Sequence, residues 1–246
     1  MTAPQLPWIR EHEPLPSPSE AWEENTPWPG LLCASEDLSA KRLIEAYGQG
    51  IFPWFSRNEP ILWWSTDPRL VLEVDSYQCH HSLRKRMRKL LRENRLELRF
   101  DSAFTQVMQQ CANISRAGQK GTWITPDIVQ AYTDLHRMGH AHSVEAWIDG
   151  ELAGGLYLVN LGRMLFGESM FAHQTDASKM ALTALVVFAR LNRLKHIDCQ
   201  QSTSHLKSLG AIEWTRERFL QTVEQSVVLT SPSWVMPNIG EHLTDL

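Results

Sequence analysis

Two hairpin signals follow one another between His142 and Phe171, and nothing else in the sequence restricts the fold as much. His142 to Ile148 reads as a strand that turns at Asp149-Gly150, the dipeptide best suited to a tight hairpin. Glu151 to Val159 follows and turns at Asn160-Leu161-Gly162, and Arg163 to Phe171 completes a three-stranded meander. Asp176 is placed to cap a long helix with Ala177, Ala181, Ala184, Phe188 and Leu191 on one stripe. His196 to Gln201 then reads as a strand and Thr203 to Leu209 as a short helix stopped by Gly210. Ala211 to Trp214 is a further strand, and Ser226 to Leu229 a candidate last one.

Upstream, Leu96 to Phe100 is a strand and Ser102 to Cys111 a helix. Thr125-Pro126-Asp127 opens a second helix, with proline at its first position and Ile128, Tyr132 and Leu135 on one face. Strand, two helices, three antiparallel strands, helix, strand, helix, strand is the order of the GNAT acyltransferase fold. The expected class is therefore α+β, a mixed and mostly antiparallel sheet with flanking helices. In that fold the strands on either side of the central helix splay apart and admit the acyl donor. Here they are Arg163 to Phe171 and His196 to Gln201.

Residues 1–30 hold seven of the 13 prolines and read as an extended arm, with Trp8, Trp22 and Trp28 as anchors. Ser39 caps a short helix from Ala40 to Tyr47. Gly50 to Phe55 and Ile61 to Trp64 look like strands of a small sheet, and Leu70 to Val74 is a strand by alternation. A small α/β N-terminal domain over 1–74 and a GNAT-like domain over 75–246 are expected.

The net charge of −4 excludes a polyanion binder that works by bulk charge, so nucleic acid would need a local patch. One exists. Between Arg84 and Arg99 lie eight of the 24 lysines and arginines, against Glu93 and Glu97. Leu83, Met87, Leu90 and Leu91 recur at helical spacing, which gives an amphipathic helix with a cationic outer face. Arg84, Lys85, Arg86, Arg88 and Lys89 are the candidate phosphate contacts. Four cysteines without a CxxC pair fit a reducing compartment. No secretory signal and no apolar run of about 20 residues is present, so a soluble cytoplasmic protein is expected.

Met164 to Phe171 carries Glu168 in the middle of an apolar strand, and Ile197-Asp198-Cys199-Gln200 repeats the arrangement with Asp198. A buried carboxylate is costly unless it is paired or used. Structural ion pairs would explain either acid alone, Glu168 with Lys179 or Arg163 for example. Two acids flanking a single helix fit a site better.

Six segments in this order closely resemble the leucyl/phenylalanyl-tRNA–protein transferase family. They are Gly50-Ile51-Phe52-Pro53-Trp54-Phe55, Leu62-Trp63-Trp64-Ser65 with Asp67-Pro68-Arg69, Ser143-Val144-Glu145, Gly167-Glu168-Ser169-Met170-Phe171, Ala177-Ser178-Lys179 and Ile197-Asp198-Cys199-Gln200. The likeness runs from about residue 28 to about residue 220. It implies transfer of leucine or phenylalanine, with methionine left open, from aminoacyl-tRNA to proteins that begin with arginine or lysine. The product is thereby marked for degradation. It also implies no metal or coenzyme, and a monomer is expected.

The resemblance implies an apolar pocket lined by Leu156, Leu165, Met170, Leu182, Leu185 and Ile197. Leu165 and Met170 would face opposite sides of a regular strand, so a bulge at Gly167 is expected. Asp198 is the candidate to bind and deprotonate the acceptor amine, Gln200 to orient it, and Glu168 to act as counter-charge. Trp63, Trp64 and Trp123 are candidates to stack on the terminal adenosine. Departures from the family pattern fall at Cys33 to Glu36 and Thr66, and at Leu165 and Leu185, where leucine replaces a common aromatic. The alternatives are an acetyl-CoA-dependent acetyltransferase, a non-catalytic RNA-binding module, and a cysteine acyl-enzyme using Cys199 with His196.

Overall fold

The structure, a computed structural model, describes residues 5–114 and 122–244. In chain order the first elements are β1 (Trp8–Ile9), β2 (Leu31–Ser35), α1 (Ala40–Gly48), β3 (Phe52–Pro53), β4 (Ile61–Trp64), β5 (Arg69–Glu73) and α2 (His81–Arg92). Next come β6 (Leu96–Phe100), α3 (Phe104–Asn113), α4 (Pro126–Arg137), β7 (Ala141–Ile148), β8 (Glu151–Leu161) and β9 (Met164–Ala172). The last are α5 (Ala177–Leu191), β10 (His196–Gln200), α6 (Ser204–Ser208), β11 (Ile212–Trp214), α7 (Arg216–Val227) and α8 (Ile239–His242). No helix among the described residues is long and apolar enough to cross a membrane.

A small sheet has the order β1-β2-β4-β3 and a large one the order β11-β5-β10-β9-β8-β7-β6. The meander expected from the two turns is β7-β8-β9, and the turn at Asp149-Gly150 has both residues at positive φ. β9 and β10 pair in parallel through Ile197–Leu165 and Asp198–Phe166. The large sheet is buried on both faces. On one side lies a layer with Tyr47, Phe52, Trp63, Tyr132, Phe166 and Phe219, shared with the small sheet, α1, α4 and α7. On the other lies an apolar layer built around α5.

Several expectations need correction. Residues 69–73 do not belong with the N-terminal part: β5 pairs with β10 and β11 in the large sheet. Alternation identified the strand, but pairing partners are not a local property. Ser226 to Leu229 is not a strand. α7 runs through Val227, because Phe219 and Val223, one helical turn apart, bury one face. Asp176 sits at the start of α5 without capping it. Its backbone is left-handed (φ 63°), and its carboxylate pairs with Lys179 at 3.0 Å. The helix after β6 begins later than expected, because Ser102 bonds Glu145 rather than its own helix. Glu145 is fully buried, accepts from Ala103 N at 2.9 Å, and so caps α3 from a neighbouring strand. Of the three tryptophans of the N-terminal arm, Trp22 packs on the core beside the buried Ile9, Leu15 and Ala21, while Trp8 and Trp28 stay about half exposed. The departure from the family pattern at Cys33 falls in the buried strand β2.

Candidate active site

The site lies where β9 and β10 stop pairing. Each strand carries an irregularity there. Opposite β8, Leu158 pairs with Gly167 and Tyr157 with Ser169, so Glu168 is an extra residue in β9. Opposite β5, Asp198 pairs with Val71 and Gln200 with Leu70, so Cys199 is extra in β10. Gln200 adopts φ 56°, a left-handed turn that ends the strand. The two bulges aim Glu168 and Gln200 at each other, and Gln200 Nε2 donates to Glu168 Oε1 at 2.8 Å.

The other carboxylate oxygen, Oε2, accepts from the Tyr132 hydroxyl at 3.0 Å. Tyr132 is hydrogen-bonded in turn to the Tyr47 hydroxyl, so a chain of two phenols from α4 and α1 ends on Glu168. Both tyrosines are fully buried. Burial and the charge of Glu168 push both phenols well above their ordinary value, so they remain protonated. Burial lifts the Glu168 carboxyl to about 7, and the nearby charge of Asp198 pushes the same way against its hydrogen-bond donors. Lys179, one of the two alternative structural partners of Glu168, pairs with Asp176 instead.

Asp198 is fully buried and offers no oxygen to an incoming amine. Arg69 holds it in a fork, Nε to Oδ1 at 2.8 Å and Nη2 to Oδ2 at 2.6 Å, and Gln200 N also donates to Oδ1 at 2.9 Å. The expectation that Asp198 touches the acceptor thus fails on access. Glu168 and Gln200 beside it are half-buried.

Leu156, Leu165, Leu182, Leu185 and Ile197 are buried in the apolar layer beside α5, and the half-buried Met170 packs against it. The structure therefore brings all six expected residues together. The aromatic candidates divide. Trp63 is fully buried with its Nε1 on Ser35 Oγ, so neither face of its ring is free. Trp64 is buried edge-on against Trp54, with Nε1 on the Trp54 carbonyl. Trp123 is half-buried, as is Trp54, which the sequence reading passed over although it sits in the Gly50–Phe55 motif.

On α2, Leu83, Met87 and Leu90 are buried and the cationic residues face outward. Arg84, Lys85, Arg88 and Arg92 line a cavity of about 410 Å³, closed on one side by Gly240 and Leu243 from the α8 region. Arg86 lies 4.0 Å from Asp176, and Lys89 lies 3.9 Å from Glu93. Cys199 packs towards the α5 layer, and burial with the charge of Asp198 pushes its thiol up to about 12. His196 packs instead on Trp214, in the opposite layer. That geometry removes the cysteine acyl-enzyme.

Comparison with known proteins agrees with this frame. The family described as leucyl/phenylalanyl-tRNA protein transferase matches residues 71–224, and the corresponding N-terminal domain matches 36–67. The chain belongs to the leucyl/phenylalanyl-tRNA–protein transferase family. Its relatives include the enzyme of that name from Polaromonas sp., 55% identical over 93% of this chain and 90% of the relative. The one from Paraburkholderia phytofirmans is 52% identical over 93% of this chain and 94% of the relative. As a member, the chain transfers leucine or phenylalanine from aminoacyl-tRNA to protein N-termini. Among solved structures, L-PGS from Bacillus licheniformis is 8% identical with a TM-score of 0.38 over 70% of this chain and 55% of that one. That likeness decides nothing further.

Proposed function

We propose that the transfer takes place where the paired bulges meet, with Glu168 as proton acceptor. An aminoacyl ester is already activated, so the protein has to place the ester carbonyl beside a neutral amine and manage one proton. The amine nitrogen attacks the carbonyl carbon, the C–N bond forms, and the bond to the ribose oxygen breaks. The amine's proton passes to Glu168 and from there to the departing ribose oxygen. A carboxyl near 7 suits both steps, since an α-ammonium titrates at about 7.7–8.0 and the exchange is nearly balanced. Gln200 orients the amine or the developing oxyanion, and Tyr132 holds the Glu168 carboxylate in place. The observation that carries this reading is the half-buried Glu168 carboxylate held between those two donors at the end of the β9–β10 pairing.

The leucine or phenylalanine side chain enters the apolar layer through Met170, the one member of its set that reaches solvent. The terminal adenosine stacks on Trp54 and Trp123, the candidate rings with surface left to offer. The tRNA backbone lies along α2, held by phosphate contacts without sequence readout. In this reading the central domain is GNAT-like: the element order fits, and β9 and β10 separate after two paired residues. The acceptors begin with arginine or lysine, the enzyme works as a cytoplasmic monomer, and the extended product is marked for degradation.

The acetyl-CoA reading is disfavoured by the start of α5, where the Asp176 carboxylate puts a negative charge beside the place a diphosphate would need. Purified protein, leucyl-tRNA and a peptide beginning with arginine should give a peptide heavier by one leucine on mass spectrometry. An acidic-start peptide should stay unchanged. Saturable acetyl-CoA binding in calorimetry, without peptide extension, would reverse the choice.

A further inference from the structure

Arg69 presents an unusual balance of costs. It is fully buried, and Nη1 is buried with no hydrogen-bond partner among the described residues. A buried ion pair is seldom better for stability than apolar residues of the same volume, and an unmade hydrogen bond makes it worse. The surroundings are nevertheless built to hold this guanidinium. Its carbon lies 4.5 Å from the ring centroids of both Phe52 and Phe219, one from the small sheet and one from α7. Gly50 (φ 73°) lets the chain pass that closely, since a Cβ there would lie 2.9 Å from the Phe219 ring. Three separate parts of the fold therefore fix one planar cation.

What the cation does is visible one bond further on. With both oxygens of Asp198 tied to Arg69, Oδ1 is aimed to accept from the Gln200 backbone at 2.9 Å. That bond holds the left-handed turn at Gln200, and the turn delivers its amide to Glu168. We propose that Arg69 is a positioning residue for aminoacyl transfer, acting through Asp198 to hold Gln200 against Glu168. It touches neither substrate, and the proposal rests on the reading of Glu168 and Gln200 given above. Arg69 also neutralises Asp198, whose charge acts on Glu168. The other groups facing Glu168 are Tyr47, Tyr132 and Gln200.

The test is steady-state transfer of leucine to an arginine-start peptide by the full chain. Arg69→Lys keeps the charge and loses the fork, and should lower kcat about 10-fold with KM for leucyl-tRNA unchanged within about twofold. Arg69→Met should lower kcat about 100-fold, and Arg69→Met combined with Asp198→Asn should be no worse than Asp198→Asn alone. Wild-type kcat in Arg69→Lys, or losses that multiply in the double variant, would overturn the proposal. If Arg69→Met shows no cooperative melt, Arg69→Lys decides. Glu168→Gln is the separate arm: wild-type kcat there refutes the proton-acceptor reading, while the Arg69–Asp198 coupling still answers for positioning.

Discussion

Leu165 and Met170 lie five residues apart on one strand and pack against the same apolar layer. An odd separation puts residues on opposite faces of a regular strand, so the shared face requires the extra residue at Glu168. One bulge thus serves two ends. It gathers the apolar wall proposed for the donor side chain, and it turns the carboxylate towards Gln200.

The wall makes selectivity adjustable. Leu165 is fully buried beside Ile197, and a larger ring there occupies space that a phenylalanyl donor would need. Leu165→Phe should raise the kcat/KM ratio of leucyl- over phenylalanyl-tRNA about 10-fold. Competition between the two charged tRNAs, read by product mass, checks this.

Removing the proposed proton acceptor should cost rate and leave the fold intact. Glu168→Gln should lower kcat by about 10²–10³. In the wild type, transfer should rise with pH through about 7, because the base works only when deprotonated. Tyr132→Phe removes a donor that favours the charged form, so its midpoint should move to higher pH. Tyr47→Phe removes a donor whose effect on the carboxyl is at least as large, and should move it at least as far in the same direction. Single-turnover rates across pH 5.5–9 resolve the order (a window of about 1.5–2 units around the carboxyl).

The same carboxyl should weigh on stability. Its folded value of about 7 lies above the ordinary 4.5, so folding favours the protonated form. The folded state is unpenalised below about pH 4.5 and is progressively destabilised as pH rises through about 7. Above that the deficit is on the order of 1–3 kcal/mol, discounted for partial exposure. Glu168→Gln should therefore be more stable than the wild type at pH 8 and about equal to it near pH 4.5. Urea denaturation at both pH values measures the difference.

Along α2, Arg84 and Arg88 line the basic cavity. Alanine at either should raise KM for leucyl-tRNA and lower the slope of log affinity against log salt by about 1, with kcat little changed. A loss of kcat at unchanged KM would place these residues elsewhere in the reaction.

Cys199→Ala should retain full transfer, since a thiol held near 12 supplies almost no thiolate at neutral pH. Peptide extension at the wild-type rate is the expected result.

The amino-acid sequence determined the local pieces. Asp149-Gly150 set a hairpin, because that dipeptide accepts the positive φ the turn demands. The apolar spacing on α2 set which side of that helix is cationic, and the odd interval from Leu165 to Met170 called for a bulge. Tertiary structure alone decided which groups meet. Arg69 and Asp198 are 129 residues apart, and Tyr47 and Tyr132 are 85 apart. No periodicity within either segment reports those pairings. Asp198 read as a free acid because burial of a charge depends on the partner that compensates it, and that partner lies on a strand which local alternation assigns to no particular sheet.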